Sequence, residues 1–270
     1  MKKQFKLGII GCGFMAHCIL KAIILSDFLH EKKIIVSDVS DEKLESVNYL
    51  GVKTTTDNKY VAENSEFLLF AVKPQDFPSA VHSLNGYCPE KIISVMAGIK
   101  KNAIKNYLGL GVIKVARCMP NLPCSIGSGA IGIDMTDFNK SPDDTDFISN
   151  IFNNMGTIVS LEENKMDAVT GIGGSGPAYV FLFIDSLIEA GVKQGLSRDE
   201  AKILAVQTVA GSAELVADSG ESIENLLLKV CSKGGTTIEA LKVLQEQNFE
   251  GIISDAVEAC VKKSKLLSEK

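Results

Sequence analysis

Histidine is scarce in this sequence: three occur, at 17, 30 and 82, and none follows position 82. None of the three has a cysteine at metal-ligand spacing, so a structural zinc is not expected. The seven cysteines (12, 18, 88, 118, 124, 231 and 260) are odd in number and form no CxxC pair. A chain this long needs no staples, so reduced thiols in a cytosol are expected rather than a disulfide framework. Basic residues are outnumbered, 28 against 33 acidic, and they are scattered. Without a basic stripe to neutralise phosphates, a nucleic-acid partner is not expected. The apolar run before Gly11-Cys12 extends only from Leu7 to Ile10, too short for an export signal. The most apolar later stretch, Pro177 to Ala190, carries Asp185 and Glu189, so no membrane span is expected. Internal repeats and low-complexity tracts are also missing.

What is present is an ordinary globular balance, 46% hydrophobic and 23% charged over 270 residues, enough for about two domains. Phe5 to Ile10 reads as a buried strand and Met15 to Leu25 as a helix. Lys33 to Ser37 reads as the next strand and Asp41 to Leu50 as the next helix. Glu66 to Val72, Lys91 to Val95 and Val112 to Arg117 are further strand-like runs, with helical stretches between most of them. Such alternation means crossover units and a parallel sheet covered on both faces. Ser128 to Asp134 and Thr157 to Ser160 are expected to add edge strands. The expected fold is therefore an α/β Rossmann-type domain over 1–162, followed by an all-α domain over 163–270. Ser197 to Glu200 and Thr236 to Glu239 read as capping boxes, and Ser175 as the N-cap ahead of Pro177. Helices over Ala178 to Gln194 and Arg198 to Asp218 are apolar around much of their circumference. About one hundred residues cannot easily bury two such helices, which implies an intimate dimer.

Two glycine loops carry the chemistry. The first, Gly11-Cys12-Gly13-Phe14-Met15-Ala16, stands between strand and helix. Gly11 makes the tight turn, Gly13 lets the backbone approach a pyrophosphate, and Ala16 allows close helix–sheet packing. Asp38, at the end of the second strand, is placed to accept the ribose hydroxyls of NAD; the alternative is a helix cap. Lys73, after another strand, either faces the cofactor or is merely solvated. The second loop, Ser232-Lys233-Gly234-Gly235-Thr236-Thr237, lies between two helices. Its adjacent backbone N–H groups and hydroxyls suit a small carboxylate, against the alternative of pure capping. Hydroxyacid dehydrogenases commonly set a His or Lys beside the reacting oxygen as general acid–base. A protonated imine already carries positive charge and accepts hydride without a simultaneous proton donor. Two binding loops and no late histidine therefore suit an imine substrate.

Seven segments in order, GIIGCGFMA (8–16), FAVKPQ (70–75), SVMAGI (94–99), RCMPNLP (117–123), DAVTGIGGSGPAYVF (167–181), EAGVKQGLSRDEA (189–201) and SKGGTTIEAL (232–241), together resemble pyrroline-5-carboxylate reductase. The resemblance implies a Rossmann domain and a helical dimerisation domain, with active sites shared between subunits. It implies NAD(P)H-dependent reduction of L-1-pyrroline-5-carboxylate to L-proline, the last step of proline biosynthesis. It assigns Gly11, Gly13, Phe14, Met15, Ala16, Asn58, Ala71, Val72, Lys73, Ala97 and Glu163 to the cofactor. It assigns Ser232, Gly234, Gly235, Thr236 and Thr237 to the substrate, with the Thr237 hydroxyl near the ring nitrogen as the catalytic group.

Three departures stand out. Lys233 replaces the family's usual proline, Leu226-Leu227-Leu228 replaces Leu-Lys-Asp, and Asp38-Val39 stands where many members carry Asn-Arg. The last change removes an arginine from the 2′-phosphate and puts a carboxylate nearby, so NADH is expected over NADPH. The expected partners are a small imino acid and a second copy of the chain, in the cytoplasm, with a higher assembly of dimers left open. The rival readings are a reductase of another small cyclic imine or hydroxy acid and an inactive dinucleotide-binding regulator.

Overall fold

The computed structural model describes residues 3–109, 111–232 and 234–268. Eight strands form one sheet: β1 (Phe5–Ile10), β2 (Ile34–Ser37), β3 (Lys53–Thr55), β4 (Ser65–Phe70), β5 (Lys91–Ser94), β6 (Lys114–Met119), β7 (Gly129–Asp134) and β8 (Gly156–Ser160). Their order is β3-β2-β1-β4-β5-β6-β7-β8. The first six run parallel, in the doubly wound order 3-2-1-4-5-6 with its reversal beside β1. β7 returns antiparallel to β6, and β8 pairs parallel with β7.

Alternation along each strand sends side chains to two covered faces. Leu7, Ile9, Phe67 and Leu69 pack under α1 (Phe14–Leu25) and, further along, α6 (Pro142–Asn153); α2 (Asp41–Glu45) adds Leu44 to the same side. Ile10, Leu68 and Phe70 pack under α3 (Asn58–Asn64), α4 (Phe77–His82) and α5 (Lys101–Leu108). The helical part comprises the four-residue α7 (Met166–Val169), α8 (Gly176–Lys193), α9 (Arg198–Asp218), α10 (Ile223–Val230), α11 (Thr236–Glu246) and α12 (Phe249–Ser268).

Contacts divide the chain into a unit of Met1–Ser175 with Cys260–Lys270 and a unit of Gly176–Ala259. The nucleotide unit holds nearly all the buried apolar side chains. Among the described residues of the helical unit only Ile188, Ala201 and Ala205 are buried, and Phe181, Leu182, Ile203 and Leu204 are each at least half exposed.

The α/β-then-α architecture matches the expectation, with local corrections. The helix expected over 41–50 ends at Glu45; a 3-10 turn, Asn48–Leu50, then closes on Gly51 in the left-handed region (φ 72°). The unanticipated β3 pairs with β2 at the sheet edge. The Ser197–Glu200 capping box forms on α9. The Thr236–Glu239 box does not, because α11 starts one residue early and Gly235 is its N-cap. Ser175 makes no side-chain capping bond and is the C-cap of a π-helical turn, Thr170–Gly174; residues 163–193 run as one helix long and apolar enough to cross a membrane. The Ser175 hydroxyl instead meets the Cys260 thiol at 3.1 Å.

Candidate functional site

Where the strand order reverses, the carboxyl ends of β1, β2 and β4 enclose a groove of about 340 Å³. It gathers Gly11, Gly13, Asp38, Asn58, Ala71, Val72 and Lys73, seven of the expected cofactor residues. Gly11 has φ 98°, and its N–H donates to the Ser37 carbonyl at 2.7 Å. A Cβ there would lie 2.8 Å from the Ala71 backbone, so no other residue fits. Gly13 is the N-cap of α1, and no side chain caps that helix. A Cβ on Gly13 would meet nothing within 4 Å. The first N–H groups of α1 therefore border open space on the side where a pyrophosphate would lie, and the residues present fit a dinucleotide. Ala16 is fully buried beneath the helix, Met15 packs on the same core, and Phe14 is 55% exposed.

Asp38 is buried but is not the cap of α2, a role taken by Ser40. Its Oδ2 accepts the Cys12 N–H at 2.8 Å, and its Oδ1 accepts the Ser40 N–H at 3.0 Å. The carboxylate thus staples the glycine loop to the loop after β2. About two of a carboxylate's roughly four lone-pair sites remain for other donors. Lys43 Nζ stands 3.5 Å from Oδ1 and lines the same groove. Burial, and then the neighbouring Asp38 charge, push the Cys12 thiol up to about 11, so Cys12 stays neutral. Asn58 accepts from the Ser37 hydroxyl at 2.6 Å and donates to the Ser83 hydroxyl at 2.9 Å. Sequence reasoning missed Asp76, Ser79 and Ser83, which also line the groove. They run along α4 from its N-cap, Asp76, to its C-cap, Ser83, and carry no motif; the helix start after Lys73-Pro74 signalled only the first of them.

Ala97 and Glu163 are not among the groove residues. Ala97 is exposed in the turn after β5, beside Gly98 at φ 74°. Glu163 Oε1 accepts the Lys101 N–H at 2.7 Å and Arg117 Nη1 at 3.3 Å, pinning α5 to β6 through a buried guanidinium. Nearby, Lys101 Nζ bonds Asp134, Thr136 and Asp137 at 2.9, 2.6 and 3.1 Å. Burial pushes the Asp134 carboxyl up, but the Thr136 N–H, the Lys101 ammonium and the Thr136 hydroxyl outweigh it and hold it below the ordinary range.

In the helical unit, Ser232, Gly234, Gly235, Thr236 and Thr237 form the loop that opens α11. Lys233 lies outside the described residues. Gly234 is left-handed (φ 75°), and the Gly235 N–H donates to the Ser232 carbonyl at 2.9 Å. A Cβ at Gly235 would sit 2.3 Å from Ser232 Oγ. The loop therefore closes tightly only with glycine, leaving the first N–H groups of α11 without a side-chain cap. Thr237 is half-buried in that first turn. Among the described residues no cluster of three or more His, Cys, Asp or Glu side chains could hold a metal.

Residues 163–267 match a family model described as pyrroline-5-carboxylate reductase dimerisation, and residues 6–98 match one described as NADP oxidoreductase coenzyme F420-dependent. The chain is 37% identical over 262 residues to a pyrroline-5-carboxylate reductase of Aquifex aeolicus, covering 97% of each. Among solved structures, it superposes with a TM-score of 0.90 on a pyrroline-5-carboxylate reductase from Coxiella burnetii, at 30% identity over 100% of both chains. A Plasmodium falciparum pyrroline carboxylate reductase with NADP bound gives 0.86 at 31% identity, over 99% of this chain and 100% of that one.

Proposed function

The chain belongs to the pyrroline-5-carboxylate reductase family, and on that premise we propose that it reduces L-1-pyrroline-5-carboxylate to L-proline as an NAD(P)H-dependent homodimer. The observation that carries this reading is kinship along the whole chain, through both the groove-bearing unit and the helical unit. When bound, the nicotinamide cofactor supplies the hydride. Gly11, Gly13 and the uncapped start of α1 hold its pyrophosphate, with Phe14, Met15 and Ala16 seating that turn. Asp38 and Asn58 border the adenosine ribose, while Ala71, Val72, Lys73 and Ala97 line the way to the ring; Glu163 braces the frame. The N–H groups of Gly234 to Thr237, with the Ser232 hydroxyl, hold the substrate carboxylate. The Thr237 hydroxyl orients the ring nitrogen, and because the imine is protonated no histidine is required there.

NADH is the preferred cofactor on this reading. A 2′-phosphate near Asp38 would meet like charge, with Lys43 offsetting part of the repulsion. The exposed apolar side chains of α8 and α9 are covered by a second copy, and the family match over 163–267 supports assigning the long apolar helix to subunit association rather than to a membrane. The same reading makes the chain a cytoplasmic enzyme with no nucleic-acid or membrane partner. The test is oxidation of NADH and of NADPH with L-1-pyrroline-5-carboxylate, beside a panel of other cyclic imines and 2-oxo acids. Turnover of a different imine alone would replace the substrate, and no turnover with tight dinucleotide binding would make the protein a regulator.

A further inference from the structure

The π-turn of residues 170–174 (TGIGG) has no part in the reading above. A π-helical turn inserts a residue and breaks the regular ladder, so it persists where something else holds the displaced groups, frequently at functional sites. The Ser175 N–H reaches back five residues to the Thr170 carbonyl at 2.8 Å. The Gly173 carbonyl is taken by a side chain 52 residues away: Asn121 Nδ2 donates to it at 2.9 Å. Asn121 Oδ1 accepts the Ala130 N–H at 3.1 Å, at the start of β7. A backbone N–H can only donate, so this second bond fixes the amide's orientation. Asn121 is buried at 7% exposure with both ends of its amide engaged.

Its place along the sheet gives this latch a use. In a doubly wound sheet a dinucleotide crosses the carboxyl edge, one mononucleotide half on each side of the reversal. The groove holding Asp38 and Asn58 is the side of β1 and β2. The other half passes the ends of β4 and β5, marked by Ala71-Val72 and the turn at Ala97, and next along the edge comes β6, followed directly by Pro120-Asn121. Three of the five π-turn residues are glycines, and a Cβ on Gly173 would lie 3.7 Å from the Ala130 carbonyl oxygen, so the turn packs its backbone directly on the start of β7. A Cβ on Gly174 would instead lie 2.8 Å from Met119 Cε, at the end of β6.

We propose that Asn121 is a positioning residue for hydride transfer: by holding the π-turn against the ends of β6 and β7, it shapes the backbone wall on which the nicotinamide ring rests. This rests on the reductase reading, but its test does not need turnover. Asn121→Asp keeps size and the acceptor for the Ala130 N–H while losing the donor to Gly173; Asn121→Ala loses both. Binding of NADH, read by its own fluorescence, and of ADP-ribose, which lacks the nicotinamide, would be compared by titration. The expected result for both variants is roughly tenfold weaker NADH binding with altered bound-state fluorescence, the scale of one unsatisfied buried group. ADP-ribose affinity should be unchanged, and kcat should fall more than KM for the imine. Equal weakening of both ligands would reduce Asn121 to general scaffolding, and unchanged NADH binding and kcat in Asn121→Asp would overturn the proposal. If Asn121→Ala does not fold, the isosteric variant decides alone.

Discussion

Phe67, Phe70 and Phe77 in the nucleotide unit are fully buried, whereas Phe181 and Phe183 in the helical unit are 53% and 42% exposed. The residue type is the same, and the difference lies in what covers it. Every parallel strand in the first unit is reached by a crossover that lays a helix back on the sheet, so both faces close within one chain. In the second unit α8 and α9 pack on each other through Ile188, Ala201 and Ala205, which leaves most of their circumference without a neighbour. A helix apolar on several sides needs more than one covering layer, and a single copy supplies one. The nucleotide unit is thus expected to be stable by its own contacts, and the helical unit only by association.

The largest effect that could break this contrast comes from charges on the uncovered helices. Phe181→Asp with Ile203→Asp should weaken association about a thousandfold, taking each as a hot spot of at least ~2 kcal/mol. Sedimentation should then show monomers with no reductase activity that still bind ADP-ribose; an active monomer would refute the shared-site picture. Next in size is a cavity in the other unit. Phe67, packed against Phe138 and Phe147, should cost about 3–5 kcal/mol when truncated to Ala. Urea midpoints of the nucleotide unit should be insensitive to protein concentration, while those of the helical unit should rise with it.

Smaller effects separate the two loops. Thr237→Ala should lower kcat/KM about 10- to 100-fold, the ~1.5–3 kcal/mol scale of a hydrogen bond to a charged group, with dinucleotide binding intact. Unchanged kinetics would remove Thr237 from the reaction. In the nucleotide unit, Asp38→Asn with Val39→Arg should move the NADPH:NADH ratio of kcat/KM about 5- to 150-fold toward NADPH. Val39→Arg alone is the sharper arm, because Asp38 also accepts the Cys12 N–H and its loss disturbs the loop for both cofactors. A wild type that prefers NADPH would show that the ribose is read elsewhere. The smallest effect, absent at neutral pH, is acid sensitivity of the nucleotide unit. Asp134 and Asp137 are held below their ordinary 3.8, so their contribution is complete above that value and is lost as pH falls through the folded ones. Melting temperature should therefore drop below about pH 4 in the wild type and less steeply in Asp134→Asn.

Much of the nucleotide unit was legible because its signals are local. The β1 bounds, the glycine turn and its seating of Ala16 follow from consecutive residues, as does the four-residue Ser197–Glu200 box in the helical unit. Asn58, Ala71 and Val72 entered through the family resemblance, whereas Gly11, Gly13, Asp38 and Lys73 were singled out because glycines and strand ends mark themselves. Asp76, Ser79 and Ser83 were not, since a polar residue on a crossover helix looks the same whether it faces a ligand or water.

By itself the sequence determined the strand–helix alternation, the two glycine turns and the surplus of apolar helix, all of which depend on neighbours within a turn or a strand. Only the tertiary structure decided what Asp38, Glu163 and Asn121 hold. Their partners Cys12, Arg117 and Gly173 lie 26, 46 and 52 residues away, and nothing in the local chain selects among the many groups that could have taken those bonds. A buried donor or acceptor must find a partner, but which one it finds depends on the backbone that packing brings within about 3 Å.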